Sequence, residues 1–141
     1  MNTEGSKPVA VRNLVKKFGD QIVLDDLSFH VNKGEILVIM GGSGCGKSTL
    51  LRLLIGAMRP TSGSIEMLGT DLTRLDEDGL DDLRKKTGIL FQSGALFNSM
   101  TVGENIALPL KEHTKLSADV IEIMVKMKLE MVGLRDFEHL K

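Results

Sequence analysis

Tryptophan and tyrosine are absent from the 141 residues, and phenylalanine occurs only five times. A surface built to stack nucleic-acid bases is therefore not expected, because such platforms are aromatic. A single cysteine, Cys45, rules out an internal disulfide and suits a reducing compartment. His30, His113 and His139 are scattered without ligand spacing, so each reads as a surface or strand residue rather than a metal ligand. Neither sign of charge dominates. A net charge of −1 gives no general attraction to nucleic acid or to an acidic membrane surface. No apolar run approaches the roughly 20 residues that span a bilayer, and the N-terminus has no signal-peptide core. The remaining composition, 42% hydrophobic and 26% charged, is that of one soluble globular domain with a modest core.

Glycine, by contrast, is concentrated where it carries chemistry. Gly41, Gly42, Ser43, Gly44, Cys45, Gly46, Lys47, Ser48 and Thr49 fit the phosphate-binding pattern G-x-x-x-x-G-K-[ST]. Glycines let the backbone wrap an anion so that successive N–H groups point inward. Lys47 is placed to reach the β- and γ-phosphates of a nucleoside triphosphate, and the Ser48 hydroxyl to ligate Mg²⁺. The flanking sequence has the required order. Residues 35–40 (EILVIM) read as a buried strand after the turn signal Asn32-Lys33-Gly34. Residues 49–58 carry Leu50, Leu51, Leu53, Leu54 and Ala57 and read as a helix whose dipole adds to the anion site.

The rest of the chain supports an α/β arrangement. Val9 and Val11, Ile22-Val23-Leu24, and residues 27–31 read as three short antiparallel strands, with a turn at Phe18-Gly19-Asp20. Residues 64–68 form a further strand before the turn Gly69-Thr70-Asp71. Residues 76–86 suit a helix, acidic early and basic late, and residues 88–91 another buried strand ending at Gln92. Thr101 and Glu104 then make a capping box for a helix reaching towards Pro109. Ser117 caps a second helix whose apolar side includes Val120, Ile121, Met124, Val125 and residues 127–131, a methionine-rich stripe read as core, with Gly133 as its stop.

These residues resemble the ATP-binding subunits of ABC transporters. The match is carried by the loop of residues 41–48, by Phe18 upstream, and by Gln92 downstream at the family's Q-loop position. Residues 90–102 (LFQSGALFNSMTV), continuing through Glu104-Asn105 and Leu108-Pro109-Leu110, look like the Mla-type phospholipid-transport ATPases, also known as toluene-tolerance proteins. The resemblance implies a P-loop NTPase core of ABC type, with an N-terminal antiparallel β region and the start of a helical subdomain. The division falls at about residue 92, and the whole is incomplete relative to the family. It also implies ATP and Mg²⁺ as cofactors, with Phe18 stacking on adenine and Gln92 approaching Mg²⁺ and the attacking water. A plug for a hairpin end is the plain alternative for Phe18, a polar strand end for Gln92. Part of residues 93–101 is implied to receive a cytoplasmic helix of a transmembrane permease, whereas Leu96, Phe97 and Met100 would otherwise be core. The implied setting is the cytoplasmic face of the inner membrane, with a second ATP-binding subunit (a homodimer) and no nucleic acid.

The departures from the family pattern lie at the end of the chain. No L-S-G-G-Q-like signature, no apolar strand ending in Asp-Glu and no switch histidine follows. The 141 residues therefore read as the N-terminal part of a longer protein, expected to bind ATP without turning it over appreciably. By the resemblance, strands beyond Lys141 would separate residues 35–40 from residues 88–91. Without them, apolar edges are expected to be exposed. Alkylation of Cys45, if accessible, should block nucleotide. Two other readings remain: a soluble ABC-class ATPase, and a different P-loop enzyme such as a small-molecule kinase or a GTPase.

Overall fold

The computed structural model describes residues 8–92 and 95–141. Its elements run β1 (Val9–Phe18), β2 (Gln21–Val31), α1 (Lys47–Leu54), β3 (Ser62–Met67), β4 (Thr70–Asp71), a 3₁₀ turn (Leu72–Arg74), α2 (Glu77–Arg84), α3 (Val102–His113) and α4 (Ala118–Met131). They fall into two units, one ending at Gly88 and the other running from Ile89 to Lys141. Each has its own apolar cluster.

The first unit is built on an antiparallel sheet of order β2-β1-β3-β4. Gly19 (φ 57°) makes the expected turn between β1 and β2. The two strands anticipated over residues 22–31 are one strand, β2. Between the pairs Leu14↔Leu27 and Lys16↔Leu24, β2 runs one residue longer than β1, which takes in the acidic pair Asp25-Asp26, and the Asn13 amide donates to Asp26 Oδ1 at 2.8 Å. Val11, Leu14 and Ile65 project from one sheet face onto Leu50 and Leu53 of α1 and Leu80 and Leu83 of α2. Asp76 caps α2 through its carboxylate, which accepts from Gly79 N at 2.9 Å. α1 stops at Leu54, short of the expected Met58, because Gly56 takes φ 67°. Ala57 N donates to Arg52 O and Gly56 N to Leu53 O, a Schellman ending.

Two expected strands do not form. Residues 35–40 and 88–91 join no ladder among the described residues. Their apolar side chains lie open, Ile36 at 89% and Leu90 at 94% exposure. Strand propensity cannot satisfy backbone N–H and C=O groups without a neighbouring strand. The exposure matches the expectation drawn from the resemblance.

In the second unit, Ala107 of α3 packs with Ile121, Val125 and Leu129 of α4, flanked by Val102, Ile106 and Leu110. The capping box is present: Glu104 N donates to Thr101 Oγ1 at 3.2 Å, and Thr101 N to Glu104 Oε2 at 2.7 Å. Val102 N and Gly103 N donate to Leu140 O and Glu138 O, so the chain's last turn covers the remaining donors of that helix end. α3 continues past Pro109 to His113. Pro109 lies in the helix and forfeits only one backbone bond. Gly133 (φ 74°) stops α4 as expected. The buried face of α4 is narrower than the expected apolar stripe: Ile121, Val125 and Leu129, spaced by four, fill it. Met127 and Met131 stand outside it, 59% and 75% exposed.

Candidate functional site

The glycine loop begins after the unpaired residues 35–40 and runs into α1. Gly44 (φ 80°) and Gly46 (φ 97°) adopt left-handed backbone that turns the chain into the helix. Gly46 is also pressed against β2. A Cβ there would lie 3.0 Å from Leu24 Cδ2 and 3.1 Å from the Val23 carbonyl oxygen. The loop is thereby seated on the sheet, and only glycine fits the seat. At Gly41 the same place is filled by Cys45, whose Sγ would stand 2.5 Å from an added Cβ.

Lys47, the first residue of α1, folds back over the loop. Its ammonium donates to the carbonyl oxygens of Gly41 and Gly42 at 2.6 Å each and approaches Cys45 Sγ at 3.5 Å. These neutral acceptors hold the charge at the mouth of the loop. Anionic oxygens make stronger, charge-assisted bonds to the same group. Beside it, Ser43, Gly44, Gly46, Lys47, Ser48 and Thr49 line a depression of about 300 Å³. Every lining residue is polar or glycine, and Ser48 and Cys45 are exposed. A depression with a helix N-terminus, a lysine and a hydroxyl fits a triphosphate with its cation. A pocket of about 350 Å³ in the second unit is lined by Ala107, Ile121 and Val125, with Lys111 and Lys126 set among Glu104, Glu122 and Glu138, and has no glycine loop.

Two basic side chains of the first unit make contacts that were not legible in the motif. Arg84 of α2 reaches the C-terminal end of α1, its guanidinium donating to Ile55 O at 3.3 Å and Gly56 O at 3.0 Å. Lys16 places its ammonium 5.1 Å from the ring centroid of Phe18 and donates to Arg59 O at 2.8 Å. A lysine two residues before Phe18 on the same strand was the one available signal, since side chains i and i+2 share a face.

Phe18 ends β1 at the hairpin turn and is 48% exposed. Gln92 is exposed and belongs to the second unit, outside any helix or strand. Residues 41–49 follow one another through the loop into α1, Phe18 ends its hairpin strand, and Gln92 belongs to the second unit. Of the segment 93–101, Ser93 and Gly94 lie outside the described residues. Leu96 and Phe97, for which core was the alternative, are 71% and 57% exposed.

The ABC transporter family model matches residues 24–140. The intermembrane phospholipid transport system ATP-binding protein MlaF of Haemophilus influenzae is 47% identical over 127 residues, covering 90% of this chain and 48% of that protein. The probable ribonucleotide transport ATP-binding protein mkl of Mycobacterium leprae is 43% identical, covering 89% of this chain and 36% of that protein. Among solved structures, a dimeric bacterial ABC transporter cassette aligns with a TM-score of 0.83 at 30% identity, covering 94% of this chain and 61% of that one. The chain spans about half the length of the MlaF proteins it matches. With the family model running through the glycine loop and both units, the chain belongs to the ABC transporter family, by way of its ATP-binding cassette.

Proposed function

We propose that this chain is the nucleotide-holding part of an ABC transporter subunit that couples ATP to the movement of phospholipid. The observation that carries the reading is the loop itself, with Lys47 gathered over Gly41 and Gly42 beside a polar depression at the start of α1. Lys47 would exchange its two carbonyl partners for phosphate oxygens, the loop amides of residues 43–48 would orient the chain of phosphates, and Ser48 would hold Mg²⁺. Phe18 would give adenine a π-face to rest on, and Gln92 would orient water near the cation. When bound, ATP–Mg²⁺ supplies the phosphoanhydride whose cleavage drives the cycle. General-base positioning is worth about 10²–10⁴ in rate, and the 141 residues hold no apolar strand ending in Asp-Glu, no L-S-G-G-Q-like signature and no switch histidine after the glycine loop. The 141-residue chain is accordingly proposed to bind ATP and not to turn it over appreciably.

The partners follow from the same reading. They are a second ATP-binding subunit, as a homodimer, and a permease whose cytoplasmic helix meets part of residues 93–101 on the cytoplasmic face of the inner membrane. No helix among the described residues is long and apolar enough to cross a membrane. Phospholipid as cargo is supported by the MlaF relatives at 44–47% identity. The mkl relatives, at 43%, support ribonucleotide as a second reading.

Binding of fluorescent ATP, read beside phosphate release, tests the assignment. Lys47→Ala and Ser48→Ala are expected to abolish productive binding in the intact protein, while the 141-residue chain binds without releasing phosphate. Unchanged affinity in both variants would remove the assigned roles. Robust, Lys47-dependent turnover by the 141-residue chain would remove the separation of binding from hydrolysis.

A further inference from the structure

Asn105, in the first turns of α3, points its carboxamide back at the loop that precedes the helix. Its Oδ1 accepts from Phe97 N at 2.8 Å, and its Nδ2 donates to Phe97 O at 3.1 Å. The same Nδ2 donates to Thr101 O at 2.9 Å and lies 3.4 Å from Met100 O. A carboxamide has one acceptor and two N–H donors. Here it engages both backbone groups of Phe97, as a neighbouring strand would, and its second N–H ties the same clamp to the helix cap. Met100 N also donates to Phe97 O at 3.0 Å, closing a turn over residues 97–100. The backbone of Phe97 is fixed, yet its side chain and that of Leu96 point outwards, at 57% and 71% exposure.

That combination is informative. Two large apolar side chains exposed on a slack loop would lose conformational freedom on meeting a partner, and binding would be weakened by that ordering cost. A loop already ordered from behind, through its backbone alone, meets the partner without it. The clamp leaves both side chains free to make the contact.

We infer that Asn105 is a positioning residue for the permease contact: its carboxamide fixes the Phe97 backbone so that Leu96 and Phe97 are presented, already ordered, to the partner's helix. The inference rests on the proposed contact of residues 93–101 with that helix. Asn105 itself does not touch the partner.

The test uses the intact protein and the detergent-solubilised permease that co-purifies with it. Asn105→Ala is expected to weaken permease binding about ten-fold, with ATP affinity unchanged. Asn105→Asp is expected to do no better, because a carboxylate faces the carbonyl oxygens of Phe97 and Thr101 with no proton to donate. Hydrogen exchange gives the readout that a general loss of structure would not: the Phe97 and Met100 amides lose protection in Asn105→Ala while those of α4 keep it. If Phe97→Ala weakens permease binding and Asn105→Ala does not, the inference fails and the docking reading stands. If neither Leu96→Ala nor Phe97→Ala weakens it, or no permease co-purifies, the docking reading fails and the inference with it. Equal loss of ATP affinity, or of protection throughout α3 and α4, would assign Asn105 a purely structural role and overturn the proposal.

Discussion

Gly46 shows how much of a site a motif can and cannot convey. The pattern G-x-x-x-x-G-K-[ST] requires a glycine there, and the structure supplies two separate reasons. One is the backbone, at φ 97°. The other is β2, whose Val23 carbonyl and Leu24 methyl would both stand within about 3.1 Å of a Cβ. The first reason can be read locally. The second depends on a strand that pairs with β1 and arrives at the loop from elsewhere, so no spacing rule reveals it. The two glycines therefore separate in a mutational test. Gly46→Ala combines left-handed strain with overpacking against β2, and in the intact protein should destabilise by roughly 2–4 kcal/mol. Gly42→Ala meets nothing within 4 Å and has no positive φ, so its cost should stay within about 0.5 kcal/mol. Urea unfolding of the two variants checks this. Equal midpoints would mean that the packing of Gly46 on β2 does not hold the loop. Lys16 and Arg84 escaped the sequence for the same reason as β2, since each acts on a residue far from it in the chain or through a fold-dependent face.

At the scale of elements, helices were legible and lone strands were not. A helix closes its hydrogen bonds within its own segment, so Thr101, Glu104 and Gly133 announced the ends of α3 and α4 from sequence alone. A strand closes its bonds on another segment. Residues 35–40 have the β-branched, apolar composition of a strand and still form none, because no partner lies beside them among the described residues. The burial along α1 gives the element-scale prediction. Leu53 is 1% exposed and sits in the first unit's core, whereas Leu51 on the same helix is 41% exposed. Leu53→Ala is expected to cost about 2–5 kcal/mol, with a cavity left between the sheet and α2. Leu51→Ala should cost less than about 1 kcal/mol, since alanine is the better helix former and little area is lost. Thermal melts of both variants, read by far-ultraviolet circular dichroism, decide it. A cost for Leu51→Ala that rivals Leu53→Ala would mean that this face of α1 is covered in solution.

The whole molecule carries two small clusters and a larger amount of apolar surface that neither uses. Ile36, Val38, Met40 and Leu90 are each at least two-thirds exposed, at 89%, 68%, 86% and 94%. Fully burying such a side chain is worth about 1.5–3 kcal/mol, so this chain forgoes stabilisation comparable to the net stability of a small domain. Its segments also have free backbone donors and acceptors, which favour edge-to-edge association. The 141-residue chain should therefore self-associate at concentrations where an intact cassette does not. A double variant distinguishes exposure from hidden burial. Because Ile36 and Leu90 contact little, Ile36→Lys with Leu90→Lys should leave the melting midpoint of the 141-residue chain within about 2 °C. The same change places charges on both unpaired segments and should shift sedimentation from aggregate to monomer. If the midpoint falls by more than that, these side chains are buried in the chain as it stands. If the midpoint holds and association persists, the sticky surface lies elsewhere, with the outer methionines of α4 the next place to substitute.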